Sequence, residues 1–116
     1  MENSKQYDLE DRTFNFAKRT RDFVKNLPKT ISNIEYGKQL IRSSGSVAAN
    51  YIEANESLSR KDFGMRVKIC RKEAKESRLW LKLSESKKED ELEKDDLSRE
   101  ATELTKIFGS MVEKLK

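Results

Sequence analysis

The sequence predicts an all-α fold, an up-down-up-down antiparallel four-helix bundle forming a single domain over residues 1–116. Three observations predict it. Apolar residues recur at alternating steps of three and four in four separate stretches, the spacing of one face of a helix. Breakers are scarce, with 4 Gly and 1 Pro in 116 residues, so the helices must be long. The connections are short, which favours antiparallel neighbours.

The first helix is expected over about 9–27. Asp8 is the expected N-cap, and Leu9, Thr13, Phe16, Thr20, Phe23 and Leu27 form the core line. Pro28, the single proline, ends it. The second helix is expected over about 33–57. Ser32 to Glu35 reads as a capping box, with Ile31 and Tyr36 at the staple positions. Its middle, Ser43 to Ala49, is rich in small residues that helix propensity disfavours, which predicts close approach of another backbone. This helix carries two apolar stripes. Ile34, Ile41, Ala48 and Ile52 mark one, and Tyr36, Leu40, Val47 and Tyr51 mark the other. A helix with two apolar stripes is either central in the bundle or buried by another subunit; a single bundle core needs one stripe, so the second is expected to meet another subunit, and the Val47 stripe is assigned to that contact.

The third helix is expected over about 60–85, capped by Ser59 with a Leu58–Phe63 staple. Phe63, Val67, Cys70, Ala74, Ser77, Leu81 and Ser84 form its core line. The fourth is expected over about 90–115, with Leu97, Ala101, Leu104, Phe108, Met111 and Leu115 inward.

Composition narrows the chemistry. Charged residues make up 40% and hydrophobic residues 34%, and the apolar periodicity argues against a disordered chain of that polarity. There is no histidine, which removes the commonest general base and the commonest metal ligand. Cys70 lies on an apolar line and reads as a core residue rather than a nucleophile. No catalytic, cofactor-binding or metal-binding residues are expected, and the chain reads as non-enzymatic. No apolar run reaches the ~20 residues that span a bilayer, so no membrane is expected. The N-terminal MENSKQYDLED is polar and acidic, unlike a signal peptide, and the single cysteine suits a reducing compartment. A cytoplasmic location is expected.

The net charge of +4 is unevenly placed. Arg60 to Lys88 carries +7 and Glu89 to Lys116 carries −4. Lys68, Arg71, Lys75, Arg78 and Lys82 step along one face of helix three, with Arg66 and Lys72 flanking them. These seven are the candidate contacts to the phosphates of RNA or DNA. The alternative is a solvated face partly neutralised by acidic helix four. In helix two, Arg42, Ser46, Asn50 and Glu53 form a candidate polar network with a structural role, fixing helix register or subunit arrangement.

Leu40 to Ala54 resembles the signature of a bacterial four-helix-bundle family encoded in intervening sequences of large-subunit ribosomal RNA genes. Arg42, Ser46, Asn50 and Glu53 match it, and Ser59 to Phe63 and Lys72 to Ser77 fit the same style. Ala54 stands where the family commonly has glycine, which predicts that the helix continues further. The resemblance implies a homopentamer, nucleic-acid binding and no enzymatic activity. A related accessory protein of diversity-generating retroelements works with a reverse transcriptase, so the resemblance also admits a structural or adaptor role toward such a protein partner.

Overall fold

A computed structural model describes residues 5–116, with side chains from residue 9 onward. The chain forms α1 (Lys5–Lys25), α2 (Ile31–Asn55), α3 (Arg60–Leu83) and α4 (Glu91–Lys114), with a 3-10 turn at Lys88–Asp90 before α4. Each helix packs against the next, and α1 closes the bundle against α4. Cross-helix contacts fix the directions. Glu10 lies level with Asn55 and Val24 with Gly37, Asn50 with Arg66 and Asn33 with Glu85, and Arg71 with Gly109. All neighbours are antiparallel, as the short connections require.

The three-four spacing places the core of three helices. Leu9, Thr13, Phe16, Thr20, Phe23 and Leu27 are all buried, as are Val67, Cys70, Ala74, Ser77, Leu81 and Ser84. In α4 the buried line is Leu97, Ala101, Leu104, Phe108 and Val112, so Val112 replaces the expected Met111 in the last turn, and Phe63, Met111 and Leu115, all expected inward, are half-buried. Two threonines and several serines sit within this core, each small enough to let backbones approach. The clearest pair joins α2 to α3. Ser77 Oγ donates to Glu73 O at 2.9 Å, which uses its one proton, so Ser43 Oγ is the donor in the 2.8 Å contact between the two hydroxyls.

Helix α2 departs from expectation in its rotation. Leu40, Val47, Tyr51 and Ala54 are buried in the intrachain core, and Val47 is 0% exposed. The Val47 stripe therefore is not a subunit contact. The other stripe is the uncovered one, with Ile34 45%, Ile41 51% and Ile52 50% exposed. The reason lies in the polar residues. Rotating the isoleucines inward would carry Ser43 and Asn33 out of contacts that no other residue satisfies. Asn33 is buried, donates to Pro28 O and Glu85 O, and accepts from the Glu85 N–H. It ties the α1–α2 loop to the end of α3. Close approach through small residues is likewise intrachain and uses Ser43 and Ser44, whereas Gly45 faces open space and Ala49 is exposed.

Several caps differ too. Thr30, not Ser32, caps α2, its hydroxyl accepting from the Asn33 N–H at 3.1 Å. Ile31 and Leu58 are exposed, so neither expected staple forms. Ser59 does cap α3, accepting from the Asp62 N–H at 3.0 Å. Asp8 lies inside α1 rather than at its cap, and its side chain lies outside the described residues. Asp90 belongs to the 3-10 turn and makes no side-chain cap bond. Ala54 is buried, and α2 continues one residue beyond it.

Two predictions follow from this packing. Val47→Glu places an unpaired carboxylate in the core and should unfold the chain, whereas Ile41→Glu should keep the fold, as read by far-UV circular dichroism and urea titration. The Cys70 thiol is fully buried, with its Sγ 3.6 Å from Val47 O, and burial pushes its pKa up to about 12. A thiol reagent at neutral pH should therefore label Cys70 only in denaturant. Folding favours the neutral thiol, so its contribution to stability is complete below the unfolded value of 9.0 and lost as pH rises from there through about 12. Cys70→Ala should flatten the stability loss over that window in urea titrations.

Candidate nucleic-acid interface

The core line of α3 fixes what its two flanks carry. Lys68, Arg71, Lys75, Arg78 and Lys82 each follow a core residue, Val67, Cys70, Ala74, Ser77 and Leu81, by one position. One residue is a rotation of about 100°, so all five lie on one flank. That flank faces α4: Arg71 lies against Gly109, where a Cβ would meet its Cδ at 3.7 Å, and Arg78 and Lys82 line a groove with Lys94, Ser98 and Thr102. Lys72 lies further round on the exposed side.

The residues preceding the core line face α2. They include Arg66, Glu73 and Trp80, and this is where Arg66 parts from the other six candidates. Arg66 Nη1 donates to Asn50 Oδ1 at 2.9 Å, so Arg66 belongs to the α2–α3 seam and not to the basic flank. The expected polar network divides into two. Asn50 Nδ2 donates to Ser46 O and Ser46 Oγ, both at 2.9 Å, and so presents its carbonyl to Arg66. Arg42 reaches across to α3, donating to both oxygens of Glu73 at 3.2 and 3.3 Å and to Glu76 at 2.8 Å. Glu73 is only 6% exposed, so removing Arg42 would leave a buried carboxylate unpaired. Glu53 joins neither group among the described residues; it is exposed, and its backbone carbonyl accepts from Ser57 Oγ.

Helix α4 sorts its charge by the same rule. Asp96 and Glu100 precede core residues and face α1, with Glu93 on the same side, while Glu103 lies further round, at the groove lined by Arg78 and Lys82. Arg12 grips Glu100 through two bonds of 2.7 and 2.8 Å. Arg19 grips Glu93 at 3.0 and 3.3 Å and Asp96 at 2.6 Å. Hydrogen bonding to Glu100 and to Glu93 holds both guanidinium groups above their ordinary pKa. The residues that follow the core line, Ser98, Thr102, Thr105 and Gly109, carry no charge and face α3.

The acidic helix therefore neutralises α1, not α3. Among the described residues, none of Lys68, Arg71, Lys72, Lys75, Arg78 and Lys82 has a carboxylate within 4.0 Å. Their combined charge is presented to solvent beside a neutral, hydroxyl-bearing edge. Sequence reasoning missed the α4 side of this groove, where Lys94, Arg99 and Lys106 lie. The net charge of α4 hid them, since Glu93, Asp96 and Glu100, which face α1, count in the same sum. Among the described residues no group of three or more Cys, Asp or Glu side chains is placed to hold a metal, and no helix is long and apolar enough to cross a membrane.

Comparison with known proteins agrees with this architecture. Curated proteins give no match. A crystal structure described as a protein with unknown function from the S23 ribosomal protein family of Bacteroides thetaiotaomicron superposes with a TM-score of 0.79. It is 28% identical, over 95% of this chain and 99% of that one. The family model described as 23S rRNA-intervening sequence protein matches residues 5–110, so nearly the whole bundle carries the pattern, and the chain belongs to that family.

Proposed function

We propose that this chain is a non-enzymatic, oligomeric bundle that binds nucleic acid through the α4-facing flank of α3. The observation that carries the reading is the row of five cations, with Lys72 beside it, left without carboxylate partners among the described residues, while Glu93, Asp96 and Glu100 of α4 are held by Arg12 and Arg19. A cationic row over α3 suits a phosphate backbone, and neutralising phosphates releases counterions. Affinity for a labelled RNA or DNA should therefore fall steeply with salt. Replacing Lys68, Arg71, Lys75 and Arg78 with Gln should weaken binding to all sequences alike and reduce the slope of log K against log salt by about 3 to 4. Arg66→Gln serves as the contrast: it lies on the other flank and should leave the slope unchanged. An unchanged slope in the fourfold variant removes the proposed site.

A second observation supports assembly. Ile34, Ile41 and Ile52 remain uncovered along α2, with Gly45 and Ala48 between them, and Phe14 of α1 is 58% exposed. The α1–α2 register sets Phe14 level with the C-terminal half of α2. A stripe of this kind is unusual on a monomer and suits contact with a second copy of the chain, with the resemblance carrying the number five. Light scattering at micromolar concentration should report a multiple of 13.6 kDa, and Ile41→Glu with Ile52→Glu should lower it while helicity is retained. A monomer mass for the unaltered chain overturns assembly altogether. A dimer or tetramer overturns only the pentamer. If assembly fails but a host protein stays bound after nuclease treatment, the stripe serves an adaptor role toward that partner.

A further inference from the structure

We propose that the groove between α3 and α4 takes a double-stranded nucleic acid, with a row of cations on each helix following one of the two strands. This rests on the nucleic-acid reading above and narrows its ligand. The first row is Arg71, Lys75, Arg78 and Lys82 on α3. The second is Arg99 and Lys106 on α4, two turns apart on one face; with Lys94 they line the same groove as Arg78 and Lys82. At about 1.5 Å per residue, the first row runs for roughly 17 Å and the second for roughly 10 Å. The helices are antiparallel neighbours, whose axes lie about 8–10 Å apart. Cations carried by two neighbouring helices flank one groove and can meet the phosphates of two strands. A single strand supplies only one row of phosphates.

The floor between the rows points the same way. It is made by Ser98 and Thr102, and further along the Arg71 stem packs against α4 at Gly109. Among the described residues, no aromatic side chain lines this groove. Proteins that hold single strands use aromatic platforms on which bases stack, and here the exposed or half-buried aromatics lie elsewhere. Trp80 stacks with Tyr36 at 6.0 Å in the α2–α3 seam, and Phe14 is on α1. Asp95 and Glu103 also line the groove, reducing the field of its five cations without cancelling it. Arg99 and Lys106 have only loose surface pairings on their own helix, 3.4 Å to Asp96 and 3.8 Å to Glu103, which a phosphate readily displaces. Lys94 donates to Ser84 O at 2.7 Å and so has a second, structural task.

The test uses the full chain, a labelled duplex of about 20 base pairs and each of its separated strands, with fluorescence anisotropy between about 50 and 200 mM salt. The duplex should bind about tenfold tighter than either strand. Arg99→Gln with Lys106→Gln leaves Lys94 and the core untouched and should lower the duplex salt slope by about 1.8, with circular dichroism unchanged. Equal or tighter binding of a single strand overturns the duplex assignment while leaving the nucleic-acid reading standing. An unchanged slope in the double variant overturns the second row. Binding of neither form overturns the broader reading and this one with it.

Discussion

Helix α4 carries carboxylates along the edge that faces α1, and Arg12 and Arg19 lie against that edge with forked bonds. This seam closes the bundle. Ion pairs between Arg12, Arg19 and the α4 carboxylates line it, and individually such half-exposed pairs stabilise little. Their larger consequence is electrostatic. A carboxylate engaged by α1 cannot also serve α3, so a chain nearly balanced in charge overall becomes polarised across its width. The fold pairs opposite charges on one side and leaves an excess of positive charge on the other.

The other three seams rest on close packing and on a few satisfied polar groups. The α2–α3 seam is the most specific of them. The Ser43–Ser77 pair sits at its centre, Arg42 with Glu73 and Asn50 with Arg66 border it, and Asn33 anchors one end. Each of these contacts has a defined register, so sliding α2 along α3 by one turn would break all of them at once. Apolar packing alone tolerates such slippage better.

How far the sequence discloses this depends on the helix. For α1, α3 and α4 a single apolar line exists, and its spacing places the core almost residue by residue. The basic flank of α3 is equally legible, because five of its cations stand one position after a core residue. Arg66 stands one position before Val67, and that offset marks it as belonging to the opposite flank. For α2, two stripes are similarly apolar, and hydrophobicity cannot choose between them. The choice is made by Asn33, whose partners are Pro28 and Glu85, and by Ser43, whose partner is Ser77, and these cross-chain partners are invisible to any local pattern. The cap is hidden likewise: Ser32 to Glu35 is the better local motif, yet Thr30 takes the cap and Asn33 bonds to Glu85. The α4 side of the groove was obscured by summing charge along the helix instead of around it.

The one-position offset has a further consequence for how this protein can change. Around α3, fold and surface field are written in separate columns of the same helix. A lineage could gain, lose or shift cations on the α4-facing column with little effect on the Arg42–Glu73 and Asn50–Arg66 contacts across the helix. The scaffold would then hold steady while its affinity drifts, and divergence among related chains would gather on one side of a single helix.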